Sequence, residues 1–273
     1  MKKEKKSRTI YYSDPLNDDF AGTHIKQKTV DENYKFVHKN IFWRFFSNLI
    51  YYVIAIPVVW FYVKVIQHVK FKYEDKKALK DLDKTYFLYG NHTGILDVYT
   101  PNLIPKHKRN KMLVSPDTVS VKGLKSIVQL LGAIPVPNTK SGLRNFTEAL
   151  EYYYNKKHII TIYPEAHIWP YYTGIRPFKD SSFGYPVKFN APVVAFVTTF
   201  TKPKSRFKKA TRTIYVSKPF FPNTELSFKE AKKDLRDRVY NWMCETTSKY
   251  STYNYINYVY REPEAKSEEK VSE

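Results

Sequence analysis

The stretch Tyr86-Phe87-Leu88-Tyr89-Gly90-Asn91-His92-Thr93-Gly94-Ile95-Leu96-Asp97 decides how this chain is read. Its apolar and aromatic start predicts a short buried strand. At the strand's exit stand a histidine and a carboxylate with four residues between them. A second stretch repeats the arrangement. His158-Ile159-Ile160-Thr161-Ile162-Tyr163 reads as a strand and runs into Pro164-Glu165-Ala166-His167. Two polar clusters at the exits of two strands can meet at one edge of an α/β sheet, which is where such folds place their chemistry.

From residue 85 onward, short apolar runs alternate with helical patterns. Further strands are expected at 111–114, 132–136, 192–199 and 213–216, the second weakened by Pro135. Helices are expected near 120–131, 143–154 and 227–250. In the last of these, Phe228, Ala231, Leu235, Val239 and Trp242 recur at three- and four-residue spacing and predict a buried stripe. There is no internal repeat, no P-loop and no Gly-x-Gly-x-x-Gly.

Length and composition bound the rest. The chain has 273 residues, 42% of them hydrophobic, enough for one large domain with a core plus extensions. Forty-six basic against 26 acidic residues leave a net charge of +20. Such an excess favours an anionic partner: a lipid surface, a nucleic acid or a nucleotide-bearing substrate. AT-rich codon usage enriches the same residues, so charge alone does not choose among them. Cys244 is the single cysteine, which excludes an intrachain disulfide and a cysteine zinc site and fits a reducing compartment. The basic start Met1-Lys2-Lys3-Glu4-Lys5-Lys6 is not followed by an apolar stretch, so no secretory signal is read there.

Between Arg44 and Lys64 lies a different kind of sequence. Residues Phe45 to Val63 form a run of 19 without a charge, with aromatics at both ends and Pro57 inside. A spanning helix needs about 20 apolar residues, and Trp and Tyr favour the headgroup level. Three readings stay open: a single span, a helix lying in the interface, or a segment that enters and leaves one leaflet with a kink at Pro57. Basic residues flank it on both sides (Lys35, Lys39 and Arg44; Lys64, Lys70 and Lys72), so the charge rule gives no orientation. Such flanks suit a segment held on the cytoplasmic face of a membrane against anionic lipid. The expected organisation is a loosely ordered basic arm over 1–40, a membrane-associating segment over 41–70, a catalytic domain over 71–250 and a charged, disordered tail over 251–273. The expected fold class is α/β: a mixed sheet flanked by helices, with an N-terminal membrane-associating helical segment.

The first cluster has a chemical reading. A neutral imidazole can take a proton from an alcohol near neutral pH, and a carboxylate on its other nitrogen fixes the tautomer. His92 would be the base and Asp97 its partner. No serine or cysteine nucleophile stands nearby, so the attack would be direct, by the hydroxyl of a substrate. The competing reading has His92 close a strand and Asp97 sit in a helix's first turn, where negative charge is favoured. The spacing does not separate the two; the second cluster, with Glu165 followed by Arg176-Pro177-Phe178-Lys179, favours the chemical one.

At this point the chain resembles the glycerolipid acyltransferases of the 1-acyl-glycerol-3-phosphate acyltransferase type. Asn91-His92-x4-Asp97 is similar to their first block, and Gly132-Ala133-Ile134-Pro135-Val136-Pro137-Asn138 to the second. Tyr163-Pro164-Glu165-Ala166 resembles the third, usually Phe-Pro-Glu-Gly. Pro177-Phe178-Lys179 follows as in the family, and Ala191-Pro192-Val193-Val194 resembles the fourth. The four blocks stand in order over residues 85–200. The resemblance implies transfer of a fatty acyl group from a thioester, on coenzyme A or acyl carrier protein, to a hydroxyl of a glycerol-based lipid. It implies His92 as base, Asp97 as orienting carboxylate, Asn91 and Glu165 at the acceptor, and no metal or cofactor beyond the donor. The partners it implies are a membrane phospholipid surface at the cytoplasmic face, the acyl donor and a lysophospholipid, most simply 1-acyl-sn-glycerol-3-phosphate.

Two family arginines are missing. Asn138 closes the second block, and Ala166-His167-Ile168 stands where the third usually reads Gly-Thr-Arg. Either Lys140, Arg144, His167, Arg176 and Lys179 supply the cations that replace them, although an arginine fork suits a phosphate better than a lysine does, or the acceptor is another lysophospholipid or a lipid-like alcohol. Two other classes compete: a non-catalytic lipid-binding relative, against which the intact His92 and Asp97 speak, and a basic nucleic-acid binder with aromatic platforms. The second explains charge and aromatics but neither the uncharged run nor the four blocks, so no nucleic acid is expected as partner.

Overall fold

A computed structural model describes residues 8–20, 26–82, 85–104, 108–121, 123–204 and 209–262. The basic start over 1–7 and the stretch 263–273 of the expected tail lie outside them. Two sheets are present among the described residues. The larger has seven strands: β2 (Lys70–Tyr73), β3 (Phe87–Gly90), β4 (Asn110–Val114), β5 (Ala133–Pro135), β6 (Ile159–Ile162), β7 (Val193–Thr201) and β8 (Thr211–Phe220), in the order β2-β8-β7-β3-β6-β4-β5. All neighbours run parallel except β7 and β8. The sheet is therefore mixed, as the expected fold class has it.

β3 lies at the centre with no free face. Phe87 and Tyr89 point into one apolar cluster and Tyr86 and Leu88 into the other, so a strand of period two feeds both cores. Helices cover both sides. On the first, α3 (Gly142–Asn155) contributes Phe146, Ala149 and Leu150, and α4 (Phe228–Tyr250) contributes Leu235, Val239 and Met243. The stripe on α4 differs from expectation at both ends. It runs through Ala231, Leu235, Val239, Met243, Thr246 and Thr247, while Phe228 at the first turn is exposed and Trp242 is half-buried and donates to Glu74 Oε1 at 2.7 Å. Steps of four hold the face better here than the step from Val239 to Trp242.

On the second side lies α1, one helix from Ile41 to Ile66. Pro57 sits inside it without breaking it. Two π-helical stretches, Ile50–Ala55 and Phe61–Ile66, lie on either side, and the backbone stays right-handed through Ala55 and Ile56. Wider turns before a proline relieve the clash with the preceding carbonyl. The backbone thus stays helical across Pro57, without a break there. One stripe of α1 is docked: Ser47 Oγ donates to Leu130 O, Tyr51 Oη donates to Asn102 Oδ1, and Val63 is buried in the second core. The rest is exposed and apolar, including Phe42 (71%), Phe45 (60%), Val53 (62%) and Val58 (62%). α2 (Lys125–Leu131), which packs on the same helix, also exposes Ile127.

The arm and the start of the tail are corrections to the sequence reading. β1 (Arg8–Tyr12) and β9 (Ile256–Tyr260) pair in parallel as a second sheet, Arg8 opposite Ile256 and Tyr12 opposite Tyr260. Trp169 lies beneath them, stacked on Tyr258 at 4.9 Å and donating from Nε1 to Asp18 O. Farther on, Val30 is buried, and its N–H donates to Asn138 Oδ1. These contacts hold the arm on the domain by residues that look unremarkable in a polar stretch.

Candidate active site

The outgoing connections of β3 and β6 leave in opposite directions, β3 toward β4 and β6 across to β7. Adjacent strands with this property leave a crevice at their carboxyl ends. His92 follows β3 and Glu165 follows β6, so the two polar clusters meet there.

Asp97 lies in a single 3-10 turn, Ile95–Val98, and points back at the residues before it. Its Oδ2 accepts from His92 Nδ1 at 2.9 Å, from Gly94 N at 2.9 Å and from Thr93 N. The turn needs Gly94, whose φ of +150° with ψ of −173° is open to glycine and strained for other residues. A Cβ there would meet nothing, so the constraint is conformation and not space. Asp97 is buried, and the His92 side chain is 16% exposed. With Nδ1–H donated to the carboxylate, Nε2 is left as the acceptor toward the crevice.

Tyr163, a residue to which the sequence alone assigns no role, completes this pair. Its ring lies flat on the imidazole, centroids 4.4 Å apart and planes 16° from parallel, and its hydroxyl donates to Asp97 O at 2.5 Å. Burial and the neighbouring Asp97 hold its phenol protonated, well above the usual tyrosine range. The signal was its place at a strand exit, which an aromatic shares with many core residues.

Glu165 holds main chain. Its Oε2 accepts from His92 N at 3.2 Å and its Oε1 from Arg176 N at 3.1 Å. The Arg176 guanidinium stands 3.6 Å from Oε2, over the Trp169 ring at 5.0 Å, and donates to the carbonyls of Glu165 and His167. Both side chains are 1–2% exposed. Burial pushes the Glu165 carboxyl upward, against the pull of Arg176 and the two N–H groups. Two backbone bonds, Trp169 N to His92 O and Tyr171 N to Thr93 O, tie the same loop to the histidine turn.

The other expected acceptor residues are placed as follows. Asn91 is fully buried, its amide engaged on both sides with the main chain of Thr198 on β7, so it clamps strands and faces no crevice. Arg176, buried among carbonyls, is likewise turned to protein in place of a phosphate. His167 is half-exposed, with Nδ1 3.6 Å from Asp19 Oδ2. Lys179 is exposed. Lys140 is exposed, and Arg144 pairs with Glu148 in solvent. They follow β5, three strands from β3, a lateral offset between the strands of about 14 Å at ~4.8 Å per strand. Asn138, at the missing arginine's place, accepts from Val30 N and donates to Lys28 O, holding the arm. Ala166, where the third block usually has glycine, has φ of +63°.

Among solved structures, this architecture is similar to the 1-acyl-sn-glycerophosphate (LPA) acyltransferase PlsC from Thermotoga maritima. The chain shares the acyltransferase fold. The TM-score is 0.51 at 16% identity, and the match covers 77% of this chain and 89% of that one. No protein-family model and no curated protein matches the chain. The mixed sheet of seven strands, its flanking helices and one N-terminal helix long and apolar enough to associate with a membrane are therefore features of an acyltransferase fold.

Proposed function

We propose that the protein is a membrane-associated acyltransferase that moves a fatty acyl group from a thioester, on coenzyme A or acyl carrier protein, to the free hydroxyl of a lysophospholipid. The observation that carries this reading is the His92–Asp97 pair at the switch point of an acyltransferase fold, with Nδ1 on the carboxylate and Nε2 toward the crevice.

His92 Nε2 takes the proton of the acceptor hydroxyl as the oxygen attacks the thioester carbonyl. Asp97 stabilises the imidazolium so formed. The tetrahedral oxyanion then collapses, the carbon–sulfur bond breaks, and the proton passes to the thiolate. Donors to the oxyanion would be main-chain N–H groups near the first block. Glu165 and Arg176 act by holding the main chain of residues 92 and 165–167. The acceptor phosphate would meet exposed cations, His167 and Lys179, with Lys140 and Arg144 farther along the same edge. 1-Acyl-sn-glycerol-3-phosphate is the simplest acceptor, and phosphatidic acid its product.

The exposed face of α1 supports a membrane partner. The helix is about 39 Å long at ~1.5 Å per residue, longer than the roughly 30 Å hydrocarbon layer. Its other face is docked from Ser47 to Val63 beside Asn102, Arg109 and Asn110. A perpendicular span would carry those polar groups into hydrocarbon, at a cost of several kcal/mol each. A helix lying in the interface of the cytoplasmic leaflet avoids this.

Acyl transfer from labelled acyl-CoA and acyl carrier protein to a panel of lysolipids, wild type beside His92→Ala, tests the reaction. Transfer to lysophosphatidic acid that disappears in the variant supports it fully. Transfer to other lysolipids alone moves the acceptor, and none from folded protein rejects it.

A further inference from the structure

At the edge of the sheet opposite His92 lies a cavity of about 150 Å³ between the start of α1 and the amino ends of β4 and β6. That exceeds by an order of magnitude the ~10–15 Å³ that one water needs. Phe87, Ile160 and Lys111 lie level across β3, β6 and β4, so Lys111 and His92 are about 17 Å apart along the strand direction at ~3.3 Å per residue. The cavity does not belong to the crevice.

Its lining is one-signed. Arg44, Arg109, Lys111 and Lys156 face it, with His38 and His158, and no carboxylate does. None of the four cations forms an ion pair among the described residues. Arg109 and Lys111 are nevertheless 6% and 5% exposed. Among the described residues the Arg109 guanidinium donates only to neutral acceptors, Asn48 Oδ1, Ser47 Oγ and Leu130 O, and its Nε has no partner. His158 Nδ1 also lacks a partner among the described residues. Lys111 Nζ stands 4.3 Å over the Tyr153 ring. Burial, with Arg109 close by, brings Lys111 down to about 7 and His158 to about 3.

Buried cations are ordinarily paired, because an uncompensated charge in a low dielectric is costly. A buried guanidinium that cannot shed its proton, with an orphaned Nε–H, and a buried lysine poised to take one up converge on one cavity, a feature of a site completed by an anion. An arginine fork and a lysine together fit the oxygens of a phosphoryl group. We propose that this cavity binds a phosphoryl group at a site separate from acyl transfer. Its roof is the first turns of α1, beside exposed Phe42 and Phe45. A phospholipid headgroup or a small soluble phosphate could supply the group. The site does not rest on the catalytic reading, and its test needs no turnover.

The test is the unfolding midpoint of the full chain, at constant ionic strength, as an anion is added. One arm adds inorganic phosphate or glycerol phosphate in nonionic detergent. The other compares nanodiscs of phosphatidylcholine with and without phosphatidylglycerol. A saturable rise is expected in one arm at least: in the first it identifies a small phosphate, in the second alone a lipid headgroup. Lys111→Met, which keeps length and removes the charge, should weaken the response at least tenfold. Should that variant not fold, Lys156→Gln, at an exposed position, is read the same way. No saturable rise in either arm, or an undiminished rise in the folded variant, overturns the proposal.

Discussion

Tyr163 lies flat against His92, with ring centroids 4.4 Å apart, and its hydroxyl reaches the carbonyl of Asp97. One aromatic residue from the β6 exit thus touches both members of the pair from the β3 exit. The histidine is fixed on one nitrogen by a carboxylate and on one face by a ring.

The base itself is the first thing to remove. His92→Ala should lower kcat by about 10² to 10⁴, the usual worth of a general base. Asp97→Asn should fall by a similar order, because an amide can hold the wrong tautomer. Circular dichroism establishes that the His92 variant is folded; near-normal turnover from it would reject the mechanism.

Tyr163 separates stacking from hydrogen bonding. Tyr163→Phe keeps the ring and loses a bond worth about 1 kcal/mol. Tyr163→Ala loses the ring too. We expect the alanine variant to lose far more kcat than the phenylalanine variant, at little change in acceptor KM. Equal losses would mean that the ring does not position His92.

Arg176 tests what the third-block cations do. Arg176→Met leaves the Glu165 carboxylate buried without its partner, and should cost about 3–5 kcal/mol in urea unfolding. A variant of unchanged stability with a raised acceptor KM would instead return Arg176 to the phosphate.

Ala166 has φ of +63°, a conformation that costs a non-glycine residue about 1–2 kcal/mol. Ala166→Gly should therefore raise stability by about 1 kcal/mol, part of the relief being offset by the freer unfolded chain. A lower denaturation midpoint would show that the Cβ contributes packing that outweighs the strain.

Lys111 gives stability a pH dependence. Its folded value of about 7 lies below the ordinary 10.5. Between these values the unfolded chain holds the proton and the folded chain does not, so stability rises with pH across that window. Lys111→Met should flatten the rise, with its greatest gain in stability below about 7. Parallel slopes for wild type and variant across the window would contradict this.

The helix deserves a cleaner test than truncation, which would also take away buried Val30, Phe36 and Tyr51. Charged replacements at Phe42, Phe45 and Val53, all outward-facing, should release the protein from vesicles while leaving its unfolding midpoint near wild type. Full retention would reject the interfacial face.

The α/β class, most strands of the large sheet and the His92–Asp97 pairing were legible in the chain alone, because each rests on local information. Strand runs such as 159–162 are contiguous, and a carboxylate five positions after a histidine folds back within one turn. The two short outer pairings were not legible. β1 and β9 join opposite ends of the chain, and β2 is an alternating Lys70-Phe71-Lys72-Tyr73 whose charges mask an edge strand. Roles that depend on which way a buried polar side chain turns were also beyond the sequence. Asn91, Glu165 and Arg176 read as acceptor contacts, yet each bonds to main chain from another element. The cation cluster at Arg109 and Lys111 shows the same limit. Charges far apart in sequence converge only when parallel strands align their ends, and only burial then makes their lack of a counter-charge costly.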